Sequence, residues 1–89
     1  KQNYTKAIEY YEKAANLGNS NAMVNLGACY ACGDGVEPNI TKAIEYFEKA
    51  ADLGNSNAMR ALGAFYEEGI GVEQNYTKAN EYFEKAKNH

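Results

Sequence analysis

The chain repeats itself every 36 residues. Thr5-Lys6-Ala7-Ile8-Glu9-Tyr10 recurs as Thr41-Lys42-Ala43-Ile44-Glu45-Tyr46, and Leu17-Gly18-Asn19-Ser20-Asn21-Ala22-Met23 recurs as Leu53-Gly54-Asn55-Ser56-Asn57-Ala58-Met59. About two-thirds of the positions that can be compared are identical. A period of this length marks an array in which each unit is one supersecondary element that buries its apolar face only against its neighbours. The fold therefore follows from reading one unit and stacking it.

One unit contains two helical patterns. The first, helix A, is predicted over Ser20 to Cys32 and again over Ser56 to Glu68. Ala22, Met23, Leu26, Gly27 and Tyr30 form the stripe of an amphipathic helix. Asn19 or Ser20 is placed to cap its first amides, and Gly33 and Gly35 stop it. The second, helix B, is predicted over Ile40 to Asp52, with copies near 4–16 and 76–88. Its stripe is Ala43, Ile44, Tyr46, Phe47, Ala50 and Ala51. Asn3, Asn39 and Asn75 stand at its N-cap, and Gly18 and Gly54 end it. Glu9–Lys13, Glu45–Lys49 and Glu81–Lys85 have the spacing and order of helix-stabilising ion pairs. The link Leu53-Gly54-Asn55 is too short for anything but an antiparallel neighbour. Glycine costs about 1 kcal/mol within a helix relative to alanine. The recurrence of Gly27 and Gly63 beside Leu26 and Leu62 thus points to a close approach between helices, as do Ala7, Ala14 and Ala22. The chain reads as five helices in the order B, A, B, A, B, an all-α solenoid within a single domain over 1–89. Residues 1–18 hold one helix B, 19–54 a full unit and 55–89 a second.

The two ends differ in the sequence. Ile44 becomes Asn80, Ala51 becomes Lys87 and Leu53 becomes His89, which suggests a polar terminal cap at positions where a following unit would press. Helix B at 4–16 keeps its apolar set with no helix A ahead of it. The expectation is that further repeats precede this stretch, or that its uncapped face pairs with another copy.

Composition excludes several classes of function. The net charge is −3, the only arginine is Arg60 and the eight lysines are dispersed. A nucleic-acid surface needs clustered cations. The mean hydropathy is −0.64, and no apolar run approaches the roughly 20 residues of a membrane span. Two cysteines do not make a disulfide framework and lean weakly towards a reducing compartment such as the cytoplasm; the compartment is otherwise unassigned. No cofactor or metal is called for. Cys29 and Cys32 form a Cys-x-x-Cys pair near a helix C-terminus, where the dipole disfavours a thiolate. They supply only two zinc ligands, with the one histidine, His89, far along the chain. Cys29 replaces Phe65 and reads as core. Tyr10, Tyr30, Tyr46, Tyr66 and Tyr82 recur at fixed places and also read as core rather than as a stacking platform. Asn3-Tyr4-Thr5, Asn39-Ile40-Thr41 and Asn75-Tyr76-Thr77 match the N-glycosylation sequon, although asparagine at a helix start is explained by capping alone. One histidine, no phosphate-binding loop and no acid pair in an apolar setting argue against an enzyme.

The run Ala58…Leu62-Gly63-Ala64-Phe65-Tyr66-Glu67-Glu68-Gly69-Ile70-Gly71-Val72, then Asn75-Tyr76-Thr77-Lys78-Ala79 and Tyr82-Phe83-Glu84-Lys85-Ala86, resembles the Sel-one-like repeat family. These are relatives of the tetratricopeptide repeat with a longer Gly-x-Gly-Val loop. The resemblance covers nearly the whole chain. Departures are small: Asn3, Asn39 and Asn75 stand where the family often has aspartate, and Tyr46-Phe47 where Trp-Tyr is common. The resemblance implies a right-handed superhelix with helix A on the concave side, serving as a scaffold for protein complexes. A cysteine-rich bacterial branch of the family carries a disulfide in each repeat, and some of its members have been called β-lactamases. The bridge positions here hold Ala15 with Met23 and Ala51 with Met59, and no Ser-x-x-Lys motif accompanies them.

Where two units are nearly identical, their differences mark positions that packing leaves free. On helix A these are Val24/Arg60, Asn25/Ala61, Cys29/Phe65, Ala31/Glu67 and Cys32/Glu68. Helical spacing gathers Asn21, Val24, Ala28, Ala31 and Cys32 into one stripe, matched by Asn57, Arg60, Ala64, Glu67 and Glu68. By resemblance to tetratricopeptide repeats, that stripe faces the concave groove and holds a protein or peptide partner. Arg60 would donate to a carboxylate or carbonyl, and Asn21 and Asn57 would clamp its backbone. The alternatives are a spacer or oligomerisation module and, further off, a hydrolase of the cysteine-rich kind.

Overall fold

The structure, a computed structural model, describes residues 4–88. Five helices run through them with no strand: α1 (Tyr4–Asn16), α2 (Ser20–Cys32), α3 (Ile40–Asp52), α4 (Ser56–Glu68) and α5 (Tyr76–Lys87). The boundaries agree with those read from the repeat, save for one residue at the end of α5. Asn3 and His89, with the capping and terminal roles expected of them, lie outside the described residues.

The turn from a B helix into the next A helix is built from one short sequence used twice. After α3, the Gly54 amide donates to the Ala51 carbonyl (2.9 Å) and the Asn55 amide to the Ala50 carbonyl (3.1 Å). This is the Schellman pattern, and it needs a left-handed residue at its centre; Gly54 sits at φ 88. Asn55 then starts α4, its Oδ1 accepting from the Ala58 amide at 3.1 Å. Gly18 and Asn19 do the same between α1 and α2, with Asn19 accepting from the Ala22 amide at 3.0 Å. The A-to-B link is longer. Gly33 and Gly69 take up the left-handed C-cap conformation, and the Asn39 and Asn75 amides return to the carbonyls of Tyr30 and Tyr66 at 2.9 Å. These bonds satisfy helix-end groups that would otherwise be orphaned.

Each A helix packs most closely on the B helix that follows it, α2 on α3 and α4 on α5. The contact is made over glycine. A Cβ on Gly27 would stand 2.9 Å from Phe47 Cζ, and one on Gly63 would stand 2.6 Å from Phe83 Cε1. No side chain fits there, which explains a helical glycine that propensity alone would reject. Leu26 and Leu62, both fully buried, stand beside these crossings, and Ala43, Ala50 and Ala58 complete a core of small and branched residues. Cys29 is buried in the same cluster, as its replacement of Phe65 suggested.

The two pairs are then joined across a seam. The rings of Phe47 and Phe65 meet with centroids 5.6 Å apart. The loop at Gly71 lies on Ile40 and Ile44 of α3. Asn55 reaches back from the start of α4 to the start of α2, its Nδ2 donating to Ser20 Oγ (3.1 Å) and Asn21 Oδ1 (2.9 Å). One residue thus terminates α3, caps α4 and ties the two A helices together. Asn55→Asp keeps the cap acceptor and loses both cross-repeat donors, whereas Asn55→Ala loses the cap as well. We expect the alanine variant to lose about 1 kcal/mol more than the aspartate variant in urea denaturation, the worth of an N-cap.

Three sequence expectations are corrected. Leu53 was read as a position pressed by the following unit, but it is 57% exposed with that unit in place, and Leu17 is 89% exposed. Both stand at the helix end, outside the packed stripe. The Glu9–Lys13 and Glu45–Lys49 ion pairs do not form among the described residues, where Lys87–Glu84 at 3.8 Å is a surface pair with both side chains largely in solvent. Exposed pairs of this kind hold little free energy, and Lys49 instead lies over the Tyr46 ring, 5.7 Å from its centroid. The recurrent tyrosines divide: Tyr30, Tyr46 and Tyr82 are half-buried and packed against the core, Tyr66 is half-buried, and Tyr10, expected in the core, is 68% exposed. In α5, Asn80 and Lys87 are exposed, whereas their counterparts in α3, Ile44 and Ala51, are buried and half-buried.

Candidate partner-binding stripe

A helix turns 100° per residue, so positions 21, 24, 28, 31 and 32 of α2 fall on one face, as do 57, 60, 64, 67 and 68 of α4. In α4 all five, Asn57, Arg60, Ala64, Glu67 and Glu68, are exposed. In α2, Asn21, Ala28 and Cys32 are exposed, while Val24 and Ala31 are half-buried and packed against the core. The stripe is therefore open along the second unit and partly closed along the first.

Its hydrogen bonding has a direction. Asn21 Oδ1 accepts from Asn55 Nδ2, and Asn57 Oδ1 accepts from the Arg60 guanidinium. Both amide oxygens are engaged, so the N-terminal end of the stripe presents N–H groups: Asn21 Nδ2, Asn57 Nδ2 and the remaining guanidinium donors. Such an edge suits backbone carbonyls or a carboxylate. Ala28 and Ala64 keep the middle low. Glu67 and Glu68 close the other end, in a last helical turn that contains no basic residue.

Sequence reading missed an aromatic arrangement on another face of the A helices, where they meet the following B helix. Tyr30 and Tyr46 stack at 5.9 Å and 17°, with Lys42 Nζ 5.0 Å from the Tyr30 centroid and Lys49 over Tyr46. The second unit repeats this with Tyr66 and Tyr82 stacked at 5.9 Å and 17°, Lys78 at 5.0 Å and Lys85 at 5.6 Å. Lys42, Lys49, Lys78 and Lys85 recur with the tyrosines at helical spacing, and that was the available signal. Each of these four rings thus has a stacked tyrosine and a lysine ammonium as neighbours. Burial raises the pKa of Tyr46 and Tyr82; Lys42 and Lys78 oppose that shift, and Glu12 beside Tyr46 and Glu48 beside Tyr82 add to it. These hydroxyls therefore stay protonated at neutral pH.

Burial first, then Asp34 and Cys32, raises the Cys29 thiol above its ordinary value, so Cys29 is an unreactive core residue. Cys32 is exposed, and both thiols are free. Among the described residues no group of three or more His, Cys, Asp or Glu side chains is placed to hold a metal ion, and no helix is long and apolar enough to cross a membrane.

A family model, the Sel1 repeat, matches residues 1–19, 20–55 and 56–89. The chain belongs to the Sel1 repeat family. Members of this family are commonly protein-interaction modules and generally non-catalytic scaffolds. Three solved structures superpose on 98% of the chain. A Sel1 repeat protein from Oxalobacter formigenes does so with TM-score 0.94 and 32% identity. The protein c5321, a protective antigen of uropathogenic Escherichia coli strains that displays an SLR fold, gives 0.93 and 36%. Cysteine rich protein B of Helicobacter pylori gives 0.92 and 33%. The chain spans 36%, 19% and 65% of their respective lengths. Curated protein sequences gave no match.

Proposed function

We propose that this chain is a non-catalytic scaffold that holds an extended peptide or protein segment along the helix-A stripe, on the concave side of the solenoid. One observation carries the reading: the two units differ at three of the five stripe positions, and the stripe is exposed along the second unit with hydrogen-bond donors at its N-terminal end. Asn57 and Arg60 would grip a carboxylate or main-chain carbonyl, and Asn21 would repeat the amide contact one unit earlier. The stripe offers less than the roughly 800 Å² per partner of a standard interface, so affinity is expected in the micromolar range.

The test selects peptides from a random library on the full chain, then measures the selected peptides against an Asn57→Ala/Arg60→Ala double variant. A charge-assisted hydrogen bond contributes about 1.5–3 kcal/mol, so binding should weaken roughly 10- to 100-fold. Thermal stability should hold within about 0.5 kcal/mol, since both residues are on the surface. Selected peptides that bind the variant as tightly would end the proposal.

A second reading has one observation of its own. Ala7, Tyr11 and Ala14 of α1 are half-buried where Ala43, Phe47 and Ala50 of α3 are buried, so this face could pair with another copy in a spacer module. Concentration-dependent light scattering separates a peptide-binding monomer from such a dimer. The hydrolase reading gains nothing from Ala15, Met23, Ala51 and Met59, which stand at the bridge positions of the cysteine-rich branch.

A further inference from the structure

The Asn-x-Thr triplets are a motif that peptide binding leaves unused. Two lie within the described residues, Asn39-Ile40-Thr41 and Asn75-Tyr76-Thr77. Each asparagine sits in extended backbone just ahead of a B helix, at φ −152 and ψ 95 for Asn39 and φ −153 and ψ 98 for Asn75. Each caps its helix through Oδ1, which accepts from the Lys42 or Lys78 amide at 3.0 Å. Capping therefore uses the side-chain oxygen, whereas a glycan attaches to the nitrogen. Among the described residues neither Nδ2 has a hydrogen-bond partner. Both asparagines are exposed, as are Thr41 and Thr77, whose hydroxyls make no hydrogen bond there. The A-helix caps, Asn19-Ser20-Asn21 and Asn55-Ser56-Asn57, do the same capping work without a hydroxyl two residues on.

We propose that Asn39 and Asn75 are acceptor sites for N-linked oligosaccharide, filled when the chain is made in a secretory pathway. The donor is an oligosaccharide on a polyprenyl pyrophosphate, and the catalyst is the transferase of that pathway. C1 of the first sugar breaks from the pyrophosphate and bonds to Nδ2, Nδ2 gives up one proton, and the polyprenyl pyrophosphate leaves. A glycosylated amide keeps its carbonyl oxygen, so the same side chain carries the sugar and still caps the helix. Residues 40 and 41 enter the first turn of α3, so transfer takes place on the growing chain before that turn closes. Two glycans then stand one repeat apart, on the edge where the long loops run into the B helices.

The full chain, secreted from a eukaryotic host behind a cleavable leader, provides the test. Treatment with N-glycosidase leaves aspartate where a glycan stood, so peptide masses report each site separately. Both Asn39 and Asn75 should convert in most molecules. Thr41→Val and Thr77→Val should each abolish modification at the matching site alone. The glycosylated chain should melt at the temperature of its deglycosylated form, in which aspartate retains the cap acceptor. Folded, secreted protein with both asparagines unmodified overturns the proposal. A glycosylated chain that melts as low as an Asn39→Ala/Asn75→Ala variant also overturns it, because cap and glycan would then exclude each other.

Discussion

Leu62→Ala is expected to cost about 2–5 kcal/mol, the range for removing a fully buried leucine from a close-packed core. A chain of this size has roughly 0.05–0.15 kcal/mol of stability per residue, so the loss would remove much of the cooperative transition. Leu62 of α4 is wholly inaccessible to solvent within the main core cluster, next in sequence to Gly63, which meets Phe83. The informative comparison is Leu53→Ala. Leu53 recurs from Leu17 as faithfully as Leu62 recurs from Leu26, yet it is 57% exposed. A surface substitution away from special features stays within about 0.5 kcal/mol. Urea denaturation of the two variants side by side should show a several-fold difference in free-energy loss. Equal losses would mean that the turn leucines are buried and that the stacking described above is wrong.

Gly71→Ala should be nearly as damaging, for a different reason. Gly71 sits at φ 71, where an L side chain pays about 1–2 kcal/mol. The added methyl would also meet Ile40 Cγ1 and Ile44 Cδ1, each at 2.9 Å. Overpacking of this kind costs typically 1–3 kcal/mol, and here it falls on the seam between the two helix pairs. Gly18→Ala is the control, because Gly18 has φ 91 and open space within 4 Å of the new methyl. It should show the backbone share alone. The excess of Gly71→Ala over Gly18→Ala measures what the loop contributes to the seam, and a broadened melting transition should accompany it as the units uncouple. No excess would mean that the loop rests on α3 without supporting it.

How far the molecule could be read from its residues depended on how local each cause was. Helix limits came through almost unchanged, because caps such as Asn55 and stop signals such as Gly33 act within a few residues of themselves. Gly27 and Gly63 revealed their crossings because glycine in a helix demands a reason. Leu53 was misread because recurrence reports that a position is repeated and not whether it is buried. Leu53 is the C-cap of α3, past the packed stripe, and stands largely in solvent. The lysine–tyrosine stacks were missed because helix spacing suggests Glu45–Lys49 and Tyr46–Lys49 equally, and only the fold shows that the ring of Tyr46 faces the ammonium. In the candidate stripe, Val24/Arg60, Ala31/Glu67 and Cys32/Glu68 follow from unit-to-unit difference, and Asn21/Asn57 and Ala28/Ala64 from helix periodicity alone. The engagement of Asn21 by Asn55 does not, since those residues lie 34 apart in sequence and meet only when two units stack.

The double duty of Asn19 and Asn55 has a consequence for length. Each closes one helix and opens the next, so the bend between them has no residue to spare. An insertion there would break two end motifs at once and rotate everything downstream. The stretches 33–39 and 69–75 are held differently: their ends are pinned by the Tyr30–Asn39 and Tyr66–Asn75 bonds, and Gly35 and Gly71 between them rest on the preceding B helix. Doubling such a loop costs only about 0.6 kcal/mol in closure entropy. One rim of the array is therefore a fixed hinge line, while the other is wedged against the preceding B helix at Gly35 and Gly71, so extra segments fit only beyond that wedge, at the exposed Glu37 or Glu73.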